Sequence, residues 1–246
     1  MKVLFVGDVH NHQYMLKDVQ KLDKQYNFNK IIFLGDYVDD WNTTNTESLI
    51  TLDKVINLKN SNPNKYIFCL GNHELSYLGY PCSGHRYEND NLVRLKLIQN
   101  ITSFVLYTTV QLQDKLFYCS HAGFTNKYLE NELQYKNTKW QDNITELNNN
   151  ILDKLHLLTP CSYFRGGQYP YSSFVWTDKK ELMYHDDTLL LPYQIIGHTP
   201  VQVISNYVSQ KEELYFIDVH STYRDERPYG DKTYLMWNET QFEIIK

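Results

Sequence analysis

Short apolar runs that stop at a polar turn recur along the chain. Lys2–Val6 ends at Gly7-Asp8, Lys30–Leu34 at Gly35-Asp36, and Lys65–Leu70 at Gly71-Asn72-His73-Glu74. Leu116–Cys119 ends at Ser120-His121-Ala122-Gly123, and Gln194–Ile196 at Gly197-His198-Thr199-Pro200. Continuous apolar runs of this length, bounded by turn residues, predict strands buried on both faces. Between the first three runs the period changes. His12–Tyr26 places Met15, Val19 and Leu22 on one side of a helix. Glu47–Leu58 does the same with Leu49, Leu52, Val55 and Ile56, after a Thr/Asn-rich start that can cap it. Strand–helix–strand–helix–strand within the first 70 residues predicts parallel strands joined by right-handed crossovers.

From about Glu88 to Leu158 the pattern is mixed. Asn91–Ile98 and Trp140–Leu158 have helical spacing, while Ser103–Gln111 and Lys115–Ser120 read as paired strands around Gln113-Asp114. The end of the chain alternates strands and turns, with strands expected at Val201–Ser205, Glu213–Asp218, Thr233–Trp237 and Gln241–Ile245. A length of 246 residues fits one large domain or two small ones. No long Gly/Ser/Pro linker divides it, and Asn148-Asn149-Asn150 is too short to act as one, so a single domain over residues 1–246 is expected. The fold class expected is α/β, two stacked sheets with helices outside.

Composition narrows the function classes. Hydrophobic residues at 42% and charged residues at 22% exclude global disorder. A net charge of −5 excludes a broad basic surface for nucleic acid or an anionic membrane, though not a local basic pocket. Cys69, Cys82, Cys119 and Cys161 form no CxxC pair, which excludes a zinc ribbon or a thioredoxin-type motif. The N-terminal apolar run is too short for a signal segment and no run approaches 18 apolar residues, so the expected location is the cytoplasm. The unusual feature is 21 tyrosines in a chain that also carries 11 Phe and 4 Trp.

The polar residues at the strand ends carry the chemistry. In chain order they are Asp8, His10, Asp36, Asn72, His73, His121 and His198. In open α/β sheets the carboxyl ends of neighbouring strands meet at one edge, so residues far apart in sequence converge there. Each segment alone is compatible with a turn, a helix cap or a hydrogen-bonded histidine. Five together are not explained by stability, because buried unpaired carboxylates and imidazoles cost several kcal/mol. A set mixing carboxylates, an amide and imidazoles suits Mn, Fe, Zn or Ni better than Ca or Mg. It has more donors than one ion needs, which points to two divalent ions sharing a carboxylate. Ions roughly 3.5–4 Å apart are a standard device for phosphoester hydrolysis.

The ordered set Gly-Asp8-Val-His10, Gly-Asp36-Tyr-Val-Asp39, Gly-Asn72-His73-Glu74, His121-Ala-Gly and Gly-His198-Thr-Pro resembles the calcineurin-like metallophosphoesterases. It is most similar to their phosphoprotein-phosphatase branch, in its bacterial and phage-type members, over residues 3 to about 220. The resemblance implies a fold of two mixed β-sheets stacked as a sandwich and flanked by helices, and a serine/threonine-phosphatase-like hydrolysis of a phosphomonoester. It implies that Asp8 and His10 bind a first metal, that Asp36 bridges, and that Asn72, His121 and His198 bind a second, Mn²⁺ being expected first. It further implies that a metal-activated hydroxide attacks phosphorus, that His73 is the general acid and that Asp39 holds and charges it. The substrate would be a phosphorylated small molecule, a nucleotide or a phosphoprotein.

Several residues depart from the family pattern. The phosphatase motif continues after Asp39 with Arg-Gly, whose Arg binds phosphate; here Asp40-Trp41 follows. Asn11-His12 replaces the usual Gly after His10, and His12 either reaches the site or starts the first helix. Arg165, in Tyr-Phe-Arg165-Gly-Gly, is the first candidate for a phosphate-binding Arg and Arg86 the second, with Arg224 and Arg227 behind them. Asp218-Val219-His220 repeats the Asp8–His10 spacing but is expected to support the site rather than ligate. An acid in place of Arg keeps a second activity open, a phosphodiesterase or nucleotide pyrophosphatase on the same scaffold. Tyr77, Tyr80, Tyr87, Tyr163, Tyr169, Tyr171, Tyr223 and Tyr229 flank the motifs and could wall a base-stacking pocket, or simply pack. A catalytically dead binding module is a third reading, opposed by the intact ligand set and the His73/Asp39 pair.

Overall fold

The computed structural model describes residues 1–79, 91–136, 140–184 and 187–246. Arg86, Tyr80, Tyr87 and Cys82 lie outside the described residues. The first three apolar runs form β1 (Val3–Val6), β2 (Lys30–Phe33) and β3 (Tyr66–Phe68), all parallel, in one sheet. The hairpin β4 (Tyr107–Leu112) and β5 (Lys115–Ser120) turns at Gln113, whose φ is 53°. It joins β6 (Tyr193–Ile196), β7 (Ser205–Val208) and β8 (Glu213–Phe216) in a second sheet. The chain then returns to the first sheet with β9 (Tyr234–Trp237) and β10 (Phe242–Ile245), both antiparallel additions. The orders are β10-β9-β1-β2-β3 and β4-β5-β6-β8-β7, so both sheets are mixed and each has five strands among the described residues.

The double-sided burial of the strands sets the layering. Val3, Phe5, Ile32 and Leu34 pack with Phe117, Cys119, Ile195, Tyr215 and Trp237, which fills the space between the sheets. The alternate residues Leu4, Val6, Ile31 and Phe33 turn the other way and meet Val19, Leu22, Leu52 and Val55 of the crossover helices α1 (Gln13–Tyr26) and α2 (Asn45–Ser61). On the outer face of the second sheet Ile196, Leu214 and Phe216 are covered by Leu182 and Leu189. Two further helices, α3 (Asn72–Tyr77) and α4 (Asn91–Gln99), flank the first sheet, α4 packing on α2. No helix among the described residues is long and apolar enough to cross a membrane.

Three expected boundaries shift. The strand expected at Val201–Ser205 is at Ser205–Val208, an exposed edge strand, while Val201 packs into the core from a loop. The first hairpin strand begins at Tyr107, because Ile101–Ser103 forms a 3-10 turn. Trp140–Leu158 is not one helix. It is four short pieces, and the break falls at Asn150, which takes a left-handed φ of 52° as asparagine readily does.

β1, β2 and β3 run parallel to one another in the first sheet, as β5, β6 and β8 do in the second, so each set gathers its carboxyl ends at one edge, and the contacts of His198 with Asp8 and of His121 with Asp36 bring the two edges together. Asp8, Asp36, Asn72, His121, His198 and Asp218 follow those six strands.

Candidate active site

Asp36 is the hub of that edge. Its Oδ2 lies 3.8 Å from His10 Nε2, 3.8 Å from His73 Nε2 and 3.3 Å from His121 Nε2. Asp8 Oδ2 is 3.8 Å from His10 Nε2. His121 Nε2 is also 2.8 Å from Asn72 Oδ1 and 3.1 Å from His198 Nδ1. The structure therefore brings together all six residues expected to ligate, with His73 beside them. Two groups could each hold an ion, His10–Asp36–His73 and Asp36–His121–His198, and Asp36 is common to both. Geometry alone thus puts His73 in the first group, where the family resemblance puts Asp8.

The rings are aimed by backbone carbonyls. His121 Nδ1 pairs with Leu34 O at 2.9 Å and His10 Nδ1 with Asp39 O at 2.9 Å, so each ring, donating there, presents Nε2 as a lone pair. The carboxylates are held by amides: His198 N donates to both oxygens of Asp8, at 2.9 and 3.1 Å, and His73 N donates to Asp36 Oδ1 at 2.9 Å. Glu74 braces the whole turn, accepting from the amides of Asp36, Tyr37, Val38 and Gly71. Burial first, and the charge of Asp36 second, push the Glu74 carboxyl up to about 7.

The protonation pattern fits a metal. Burial first, then the neighbouring charges of His73 for His10 and of Arg165 for His198, lower both imidazole pKa values, so both rings are neutral. Burial also opposes the charge of Asp36, but His121, His73 and His10 outweigh it and hold that carboxyl well below the usual range. For Asp8, burial followed by the charges of Asp218 and Asp36 raises the pKa well above normal, which is excess negative charge that a cation relieves. His198 Nε2 is buried without any hydrogen-bond partner, a donor atom waiting for an acceptor of its lone pair. Donor chemistry, neutral rings and an orphaned nitrogen all fit divalent ions.

Four of these residues sit in strained backbone. His10, Asp36, Asp39 and His198 have φ values of 43°, 50°, 62° and 63°, in the left-handed region that costs a non-glycine residue about 1–3 kcal/mol. Two glycines make room for the carboxylates: a Cβ at Gly71 would lie 2.1 Å from Asp36 Oδ1, and one at Gly197 2.3 Å from Asp8 Oδ1. Gly197→Ala is therefore expected to destabilise the protein by about 1–3 kcal/mol through overpacking and to weaken metal binding by displacing Asp8. Thermal melts with and without Mn²⁺ check this; a melt unchanged from wild type in both contradicts it.

His73 is set apart from the other imidazoles. Its Nδ1 is 3.3 Å from Asp39 Oδ2. Burial works against its charge, yet Asp36 and the hydrogen-bonded Asp39 prevail and raise it to about 9, so it carries a proton near neutrality. Asp218 is buried, bound at both oxygens by Ser221 Oγ, and near enough to Asp8 for its charge to raise the Asp8 pKa.

Of these groups His10, Asp36, Asp39, Asn72, His73 and His198 face a cavity of about 380 Å³. Arg165 lines it, its Nε 3.0 Å from Asp178 and its terminal nitrogen donating to Thr199 Oγ1 at 2.6 Å. Arg224 and Arg227 do not line it; Arg227 pairs with Asp225 and lies over Tyr223. His12 precedes α1 and turns its Nε2 to Asp40, 2.9 Å away, in the cavity wall. None of the flanking tyrosines within the described residues lines the cavity. Its aromatic walls are Trp41, whose indole N–H donates to Thr222 O, and Trp176, edge-on to His198. Sequence reasoning missed both tryptophans and the bracing role of Glu74. Only the Gly-Asn-His-Glu motif and the lone Trp41 after Asp40 signalled them.

The model of the calcineurin-like phosphoesterase family matches residues 1–202. No curated protein sequence matches the chain. Among solved structures, the cold-active protein-tyrosine phosphatase of a psychrophilic Shewanella species aligns with 100% of this chain and 80% of its own, at 15% identity and a TM-score of 0.57. At that identity the likeness is one of fold. An archaeal phosphodiesterase aligns over 100% and 99% of the two chains at 13% identity and a TM-score of 0.44. The phosphoesterase Yfce from E. coli covers 96% and 87% at 12% and 0.45.

Proposed function

The chain belongs to the calcineurin-like phosphoesterases and is a metal-dependent phosphoesterase, and from that premise we propose that it hydrolyses a phosphomonoester, as serine/threonine phosphatases do, on one domain spanning residues 1–246. The observation that carries the reading is the common reach of Asp36 Oδ2 to three imidazoles, with the protonated His73 among them. Asp8 and His10 would hold one ion, Asn72, His121 and His198 a second, and Asp36 both. Mn²⁺ suits this mixed set, with Fe, Zn and Ni as alternatives. Such ions would supply Lewis-acid polarisation of a phosphoryl group and a lowering of the pKa of water from about 15.7 to about 7.

The remaining work falls to the chain's own groups. His73 Nδ1–H stays on Asp39, and the proton on Nε2 passes to the departing ester oxygen. Arg165 would neutralise the phosphoryl oxygens from the cavity wall, a role for which Arg86 is the second candidate. Arg165→Ala is expected to raise KM about tenfold, with a smaller fall in kcat. Unchanged kcat/KM on every active substrate removes Arg165 from the reading.

The Asp40–Trp41 wall favours a second reading, a phosphodiester or nucleotide substrate. Asp40 puts a carboxylate where the phosphatase motif has a cation. Burial resists that charge, but the His12 hydrogen bond and nearby imidazoles outweigh it and lower its pKa. A diester carries one charge fewer on phosphorus, and Trp41 offers a face for a base. Hydrolysis of p-nitrophenyl phosphate against bis-p-nitrophenyl phosphate, each with Mn²⁺ and with EDTA, separates the readings. Faster turnover of the monoester supports the first and of the diester the second; no Mn²⁺-dependent turnover of either overturns both.

A further inference from the structure

Helix α3 carries more of the site than the Asn72-His73 pair at its start. Its last residue, Tyr77, is four residues beyond His73 and so lies on the same side of the helix. The Tyr77 hydroxyl donates to Asp39 Oδ1 at 2.5 Å, while Asp39 Oδ2 lies 3.3 Å from His73 Nδ1. One carboxylate is thus shared by two side chains of a single helical turn. The Tyr77 ring is anchored in the main apolar core and the residue is only 2% exposed, so little but the hydroxyl meets the polar site. The Asp39 main chain is already fixed, with a φ of 62° and its carbonyl against His10 Nδ1. The Tyr77 hydroxyl bears on what the main chain does not set, the rotation of the carboxylate.

We infer that Tyr77 is a positioning residue for phosphoester hydrolysis: its hydroxyl orients the Asp39 carboxylate and thereby aims His73 at the departing oxygen. The inference rests on His73 being the general acid. A phenol donating to one carboxylate oxygen draws negative charge toward it and leaves the other a weaker base. The His73 Nδ1 proton then stays on the ring. When the P–O ester bond breaks, its electron pair goes to the leaving oxygen, which takes the Nε2 proton. The N–H pair returns to the ring, leaving neutral His73, while Tyr77 stays protonated and Asp39 ionised.

Tyr77→Phe keeps the ring and removes only the hydroxyl. The test measures kcat and KM with Mn²⁺ on two probes, phenyl phosphate and p-nitrophenyl phosphate. Phenol, with a pKa of about 10 like tyrosine, leaves poorly without a proton, whereas the nitro group lets p-nitrophenolate leave as the anion. The expected result is a fall in kcat of about tenfold on phenyl phosphate and at most about twofold on p-nitrophenyl phosphate, with KM unchanged, as for the loss of one hydrogen bond to a charged group. In an Asp39→Asn background the same change is expected to cost nothing more, because Tyr77 acts through Asp39. Equal losses on both probes, no loss on phenyl phosphate, or full additivity with Asp39→Asn each overturn the inference. His73→Asn separates it from its premise. If His73→Asn shows a larger gap between the probes and Tyr77→Phe shows none, Tyr77 alone is excluded; if His73→Asn shows no gap, the general-acid reading falls and the inference with it.

Discussion

Asp36→Asn is expected to strip the protein of tightly held metal and to lower kcat/KM on p-nitrophenyl phosphate by about 10³-fold or more. The size follows from several kcal/mol of charge stabilisation lost with the ions, at one power of ten for each 1.36 kcal/mol, so about 4 kcal/mol corresponds to 10³. Among the described residues Asp36 is the side chain that faces His10, His73 and His121 at once, and its charge persists because the neighbouring histidines, His121 and His73 foremost, overcome the cost of burial. Asparagine is close to isosteric, still accepts from the His73 amide, and tolerates the left-handed backbone at this position. The change therefore removes charge and bridging capacity while leaving the turn in place. Metal content after gel filtration and kcat/KM on the same preparation check it; retained metal with wild-type activity contradicts it.

His73→Asn is expected to behave differently. It should keep metal, because the six residues proposed as ligands are untouched, and lose about 10²–10⁴-fold in kcat on phenyl phosphate, whose leaving group needs the proton, the usual contribution of a positioned acid. Asparagine offers a hydrogen bond to Asp39 but no transferable proton. The metal-loaded variant with undiminished kcat contradicts the assignment, and loss of metal instead would make His73 a ligand, as its membership of the His10–Asp36 group allows.

Much of this centre was legible in the sequence because parallel strands buried on both faces leave a plain mark. Val3–Val6, Lys30–Phe33 and Tyr193–Ile196 are mostly apolar runs, and each is followed just beyond its carboxyl end by a residue of the cluster. Residues 190 positions apart, such as Asp8 and His198, meet only because those strand ends align. Where burial is one-sided or local, the sequence spoke less clearly. Ser205–Val208 is an exposed edge strand without an apolar period, and the neighbouring Val201, apolar and half-buried from a loop, drew the expected strand toward itself. The Trp140–Leu158 periodicity was real, since Ile144, Leu147, Ile151 and Leu155 are all buried. The left-handed Asn150 breaks the helix all the same.

The wall of the cavity was least legible. His12–Asp40 and the bonds of Trp41 and Asn42 to the segment around Thr222–Glu226 join residues up to 184 apart. No local pattern encodes such pairings. The left-handed backbone at His10, Asp36, Asp39 and His198 was equally hidden, because none of the four is a residue whose sequence context demands it. Strain of that kind is imposed by the tertiary structure and collects where function requires a fixed geometry.

The central claim is that one carboxylate organises two ions for phosphoester hydrolysis. Its most direct test is to strip the protein with EDTA, titrate it with Mn²⁺ while following p-nitrophenyl phosphate hydrolysis, and measure the metal bound at each point. The account predicts that activity reaches its plateau when two ions are bound per chain. A plateau at one ion per chain, or full activity in the stripped protein, would contradict it.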